Sequence, residues 1–344
     1  MLHDNKTNGG AKDHQVPVGN DHAVSVLAPP TYLEGNIAGI MALHRKRVFH
    51  MEQRKRGDLT LGAFLRSTLG WRRDLPDAEA KTINARSGQF IKIGKAIVKQ
   101  EMRSKSKPRP IKGSDDPQFI ELRDFIVGTI RAAHYHLDAE EMCAEKMDEQ
   151  ARLLPVADWF LKNVFRKSAL QLAVIVGDIG DLARWPDGKE TTLPQIWKRM
   201  GLAPFEKDGE MRAGSVWRKA GGLSKKEWED FGYSPVRRSR MYVIGDVLIK
   251  QNGYYRDVYV ARKKVEREKA KARGLTVAPA ARIPKGREAE FISDGHVHKL
   301  AQRYMEKRLL KHLWRAWREA RACVSEKTIK RMPLSAYSNA ARAA

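Results

Sequence analysis

The chain has 344 residues, with 65 Lys or Arg against 41 Asp or Glu, so its formal net charge is +24 at pH 7. Such a surplus attracts polyanions over long range, phosphate backbones first among them, and makes that binding fall steeply with salt. A hydrophobic content of 42% excludes wholesale disorder, and two isolated cysteines, Cys143 and Cys323, exclude both a disulfide scaffold and a CxxC zinc pair.

Residues 1–30 are polar, end in Pro29-Pro30, contain no secretory apolar stretch and read as a disordered arm. A basic helical region is expected over 31–102. From Tyr32 to Arg56 the residues Leu33, Ile37, Ile40, Leu43 and Val48 recur at helical spacing, with cations at 45–47 and 54–56 before Gly57. That charge run is either a solvated face or a phosphate contact. A short helix capped by Thr60 is expected over 61–69, and another helix from Pro76 to Met102.

Residues 103–116, basic and carrying two prolines, read as a linker. Asp116-Pro117 is an N-cap followed by proline in the first turn, opening a helical connector over 117–164. Helix is also expected from Trp159 to Val176. The longest apolar stretch, Leu170 to Val176, is far shorter than the roughly 20 residues of a membrane span. No membrane partner is expected, and a cytoplasmic location is.

The segment Gly177-Asp178-Ile179-Gly180-Asp181 reads as a tight turn, a metal corner using Asp178 and Asp181, or a hairpin lying on a DNA backbone. A short helix from Ile196 is stopped by Gly201 and kept from resuming by Pro204. The loop after it, to Gly222, is basic and rich in glycine, and carries Arg212, Ser215, Arg218 and Lys219.

Ser234 and Pro235 then start a helix whose first turns carry Arg237, Arg238 and Arg240. Free amides and arginines at one helix start make an anion site, unless the arginines point into water. Tyr254, Tyr255 and Tyr259, followed by Arg262, Lys263 and Lys264, suit base stacking and phosphate pairing, or else a half-buried core. The last helix, from His296 to Arg321, aligns Ala301, Met305, Leu309, Leu313 and Trp317 in one apolar stripe among many cations. His296 and His298 read as unpartnered surface residues. A tail is expected over 321–344. The expected fold class is mainly α: a helical N-terminal region, then a helix-rich domain with a basic, glycine-containing loop.

Taken in order, GDIGDLARW, WKRMGLAP, the basic loop, GYSPVRRSRMYVIGDVLIKQNGYYRDVY and HKLAQRYMEKRLLKHLWRAWR span about residues 165–320. This arrangement resembles the C-terminal transposase domain of the IS-one-ten, IS-one-sixteen and IS-nine-oh-two group of insertion-sequence transposases. The resemblance implies a DNA-binding protein of transposition or recombination, with a serine that joins covalently to the cut strand. Mg would be the ion of such chemistry; no cofactor is expected in the chain itself.

Where the family places its serine, this chain reads Lys207-Asp208-Gly209-Glu210, so Ser215 is the nearest nucleophile. Residues 1–164 read as helical and basic, where the family has a RuvC-like domain with four acidic ligands. A second expectation is therefore a non-catalytic nucleic-acid-binding protein of a phage or mobile element, derived from such a domain. DNA contacts are expected at Arg212, Arg218, Lys219, Arg237, Arg238, Arg240, Arg262, Lys263 and Lys264. A homo-oligomer is expected, and a guide RNA stays open as a further partner.

Overall fold

The computed structural model describes residues 32–102, 109–207, 209–212 and 223–323. Ser215, Arg218 and Lys219 lie outside the described residues, and of Arg212 only the backbone is described. The expected arm over 1–30 falls outside them too.

Two long helices organise the chain: α1 (Tyr32–Thr68) and α3 (Pro117–Arg152). Each spans about 55 Å at 1.5 Å per residue. They run antiparallel. Asn36 Nδ2 donates to the Gln150 carbonyl at 3.0 Å near one end, and the Phe64 and Phe125 rings meet at 4.4 Å near the other. Between these points Arg47 and Arg54 both reach Glu140, and His50 meets His136 at 3.1 Å. The spacing of Asn36, Leu43, His50, Gly57 and Phe64 is seven residues, the repeat that keeps one helix seam on its partner.

The break expected at Gly57 does not occur; α1 is one helix. A glycine inside a helix costs about 1 kcal/mol. Burying Leu61 and Leu65 one and two turns later outweighs that cost. These two residues pack with α2 (Asp77–Glu101) and the start of α3 in a distal core of Phe90, Ile93, Phe119, Ile126 and Ile130. Asp116 caps α3 as expected, accepting from the Gln118 and Phe119 amides at 2.9 and 3.2 Å, with Pro117 in the first turn.

The single helix expected from Trp159 to Val176 is two: α4 (Ala157–Asn163) and α5 (Leu170–Ile179). Asp148 of α3 makes the division. Its Oδ1 accepts from Ser168 Oγ at 2.7 Å and from the Ala169 amide at 2.6 Å, which anchors the start of α5. Helix α5 carries on through Gly177 and Asp178 and ends at Gly180, whose φ of 87° suits glycine. The turn expected over 177–181 is therefore only its last two residues.

Helix α5 packs on α1 and α3, while α6 (Leu193–Arg199), α8 (Pro235–Lys250) and α9 (Tyr254–Ala272) pack on the long α10 (Asp294–Cys323); the short α7 (Lys225–Asp230) precedes α8. The main core joins Ile37, Ile40, Met147 and Ala151 to Leu172, Ile175, Met241, Ile244, Met305 and Leu309. One core thus takes residues from both sides of position 165. The α10 stripe is as expected: Ala301, Met305, Leu309, Leu313 and Trp317 are all buried.

Strands are few among the described residues. β1 (Phe205–Lys207) pairs antiparallel with β2 (Glu210–Arg212), and β3 (Thr276–Ala278) pairs parallel with β4 (Phe291–Ser293). Described helices are nowhere long and apolar enough to cross a membrane.

Candidate nucleic-acid interface

The start of α8 forms as its sequence dictates. Ser234 caps it, accepting from the Arg237 amide at 3.3 Å, and Pro235 occupies the first turn. The end of α6 comes close because Gly201 turns the chain at φ 69°. A Cβ there would sit 2.7 Å from Arg238 Cβ, so only glycine allows this approach. Between the two helix ends lies a cavity of about 850 Å³. Lys198, Arg199, Ser234 and Arg237 line it, with Trp185 and Trp228 as aromatic walls and Glu229 and Asp230 on the α7 side.

The arginines of α8 do not all reach this cavity. Asp178, 5% exposed, accepts from Arg240 and lies 3.7 Å from Arg237 Nε and 3.4 Å from His44 Nε2. Arg238 pairs at 2.9 Å with Glu306, which is fully buried on α10. Part of the anion that the helix start calls for is therefore supplied by the chain itself. Arg237 keeps a 30% exposed side chain and lines the cavity.

Cations nonetheless outnumber carboxylates at this centre. Arg199, Arg237, Arg238, Arg240, Arg303 and Lys307 gather around Asp178 and Glu306. Burial, and then the neighbouring Arg237, hold the Arg199 guanidinium below its ordinary value. Burial and then Arg238 do the same to Arg303. Like charges pressed together in partly dry surroundings gain from any added anion. Arg199 also lies 5.3 Å over the Trp185 ring, which fixes its fork at the cavity wall.

The proposed metal corner has other partners. Asp178 faces arginines, and Asp181 accepts from Trp317 Nε1 and the Ala183 amide, both at 2.8 Å, and pairs with Arg321. The two carboxylates tie different elements, α8 and the end of α10, to the α5 terminus. Among the described residues no three His, Cys, Asp or Glu side chains group as metal ligands would.

Arg262, Lys263 and Lys264 on α9 lie on different sides. Arg262 pairs with Glu266 at 2.5 Å and stacks over Tyr304 at 4.4 Å. Lys263 pairs with Asp294 at 3.1 Å, and Lys264 is exposed. Tyr255 and Tyr259 are core residues, whereas Tyr254 is half exposed. The Tyr259 hydroxyl meets His298 Nδ1 at 2.7 Å, so His298 is partnered after all.

Lys198 and Arg199, in the last turn of α6, and Glu306 were not among the site residues expected from the sequence. Glu306 lies beside Met305, one residue from the α10 apolar stripe, and a carboxylate there signals burial against a cation. No family model, curated protein or solved structure matches the chain.

Proposed function

We propose that this protein binds DNA, holding backbone phosphates in the cleft between the end of α6 and the start of α8. The observation that carries the reading is the pair of partly buried guanidinium groups on its lining, Arg199 and Arg237, beside a centre where six cations surround Asp178 and Glu306. Guanidinium forks match phosphate oxygens two by two, and the +24 net charge draws the polyanion in. The likeness to insertion-sequence transposases over residues 165–320 supports a role in transposition or recombination.

A non-catalytic role on DNA is favoured by one observation: the arginine and indole partners of Asp178 and Asp181 already occupy the two proposed metal ligands. Strand cleavage by Ser215, with Mg, remains the catalytic alternative; self-assembly and a guide RNA belong to that wider reading. The test is a titration of the purified chain onto labelled DNA at several salt concentrations with magnesium, resolved on native and denaturing gels. Salt-sensitive shifts that weaken in Arg199→Ala and Arg237→Ala support the cleft; equal affinity in these variants overturns it. A covalent adduct lost in Ser215→Ala would establish the catalytic reading, and shifts without any adduct the non-catalytic one.

A further inference from the structure

At the far end of α8 the chain builds a second groove. Two cavities, of about 700 and 440 Å³, adjoin there and share Asn163, Tyr254 and Tyr255. The turn between α8 and α9 forms one wall, and the connection between α4 and α5 forms the other. Trp159, His312 and Arg315 close the smaller cavity.

Three features give the groove its chemistry. First, its aromatic element is held in place. The Tyr254 hydroxyl accepts from Arg308 Nη1 at 3.3 Å, and its ring rests against His312 at 5.8 Å and edge-on to Tyr255 at 5.3 Å. Half of Tyr254, 50%, still faces solvent. Second, the rim is cationic. Lys162, Arg166, Lys167 and Arg256 are exposed, and among the described residues none is within ion-pair distance of a carboxylate. Glu319 is the sole carboxylate on the described lining of either cavity. Third, the positive field reaches inside: burial, then Arg308, Arg315 and Lys311, hold His312 below the ordinary imidazole range.

A held, half-open ring among uncompensated cations fits a chain that offers a flat base and a phosphate at each step. Duplex DNA keeps its bases stacked on one another, so only an unpaired strand can present a base to Tyr254. We propose that this groove holds a single-stranded segment of nucleic acid, one base stacked on Tyr254 and the flanking phosphates on Lys162, Arg166, Lys167 and Arg256. The 16 residues of α8 place it about 24 Å from the α6–α8 cleft. It is a separate site and stands whether or not that cleft binds duplex.

The test is fluorescence anisotropy of the full-length protein with short labelled oligo-dT, oligo-U and a duplex. Tyr254→Ala should weaken single-strand binding about tenfold, Tyr254→Phe should restore it, and duplex affinity should stay within about twofold. Arg166→Ala with Lys167→Ala, both on the surface and so neutral for folding, should lower the salt slope for single strands by about 0.7 per cation. Tighter oligo-U than oligo-dT would identify the strand as RNA, and the reverse as DNA; either supports the groove. Unchanged single-strand affinity in both the Tyr254→Ala and the Arg166/Lys167 variants overturns it, as does polyglutamate competing as well as oligo-dT. Lys198→Ala with Arg237→Ala tests the cleft alone, by duplex affinity.

Discussion

Arg238 of α8 and Glu306 of α10 form an ion pair at 2.9 Å, with the carboxylate fully buried. Burial raises Glu306 to about 7, even though Arg238, Gln302 and Arg303 each pull it down. The folded state thus holds its proton more tightly than the unfolded chain does. The resulting stability is complete below the unfolded value near 4.5 and is lost as pH rises through about 7. The size is about 3 kcal/mol. Urea unfolding at pH 5 and pH 8 should show this loss in the wild type and a flatter pH profile in Glu306→Gln; the same slope in both would remove the assignment.

His298 and His312 act in the opposite direction. Burial lowers both, and nearby cations add to the effect. Each contributes stability above the ordinary imidazole value near 6.5, and that contribution is lost as pH falls through the depressed folded value. NMR titration of the imidazole protons should place both midpoints below that of a free histidine.

Arg237 and Arg240 should separate function from stability. Arg240 is spent on the buried Asp178, so Arg240→Ala should cost about 3 kcal/mol in chemical denaturation. Arg237 lines the cleft and only brushes Asp178 at 3.7 Å. Arg237→Ala should leave the unfolding midpoint nearly unchanged and lower the salt slope of DNA binding by about 1. A large stability loss in Arg237→Ala with an unaltered slope would make it a structural residue.

Two glycines give a paired check on the packing. A Cβ at Gly245 would come within 2.5 Å of Glu306 Oε1 and 2.7 Å of Gln302 Nε2, so Gly245→Ala should destabilise by about 1–3 kcal/mol. Gly128 lies mid-helix in α3 with nothing near its Cβ position. There Gly128→Ala should stabilise by about 0.5–1 kcal/mol. Thermal melts of the two variants should move in opposite directions.

Local signals in the sequence carried much of the architecture. Asp116-Pro117, Ser234-Pro235, Gly201 and the α10 stripe work through atoms a few residues apart, so composition and spacing suffice to place them. Charge alone supplied the expectation of a polyanionic partner. What decided the rest acts between distant segments. Gly57 stays helical because α2 and α3 cover Leu61 and Leu65. α5 starts where it does because Asp148, some 20 residues earlier, holds Ser168 and Ala169. The arginines of α8 could be counted from the sequence, but a count cannot tell a solvated guanidinium from a paired one. Asp178 and Glu306, brought in from other helices, bind Arg240 and Arg238 and leave Arg237 and Arg199 to the cleft. Electrostatic pairing depends on distance in space and on burial, and only the packed chain sets those.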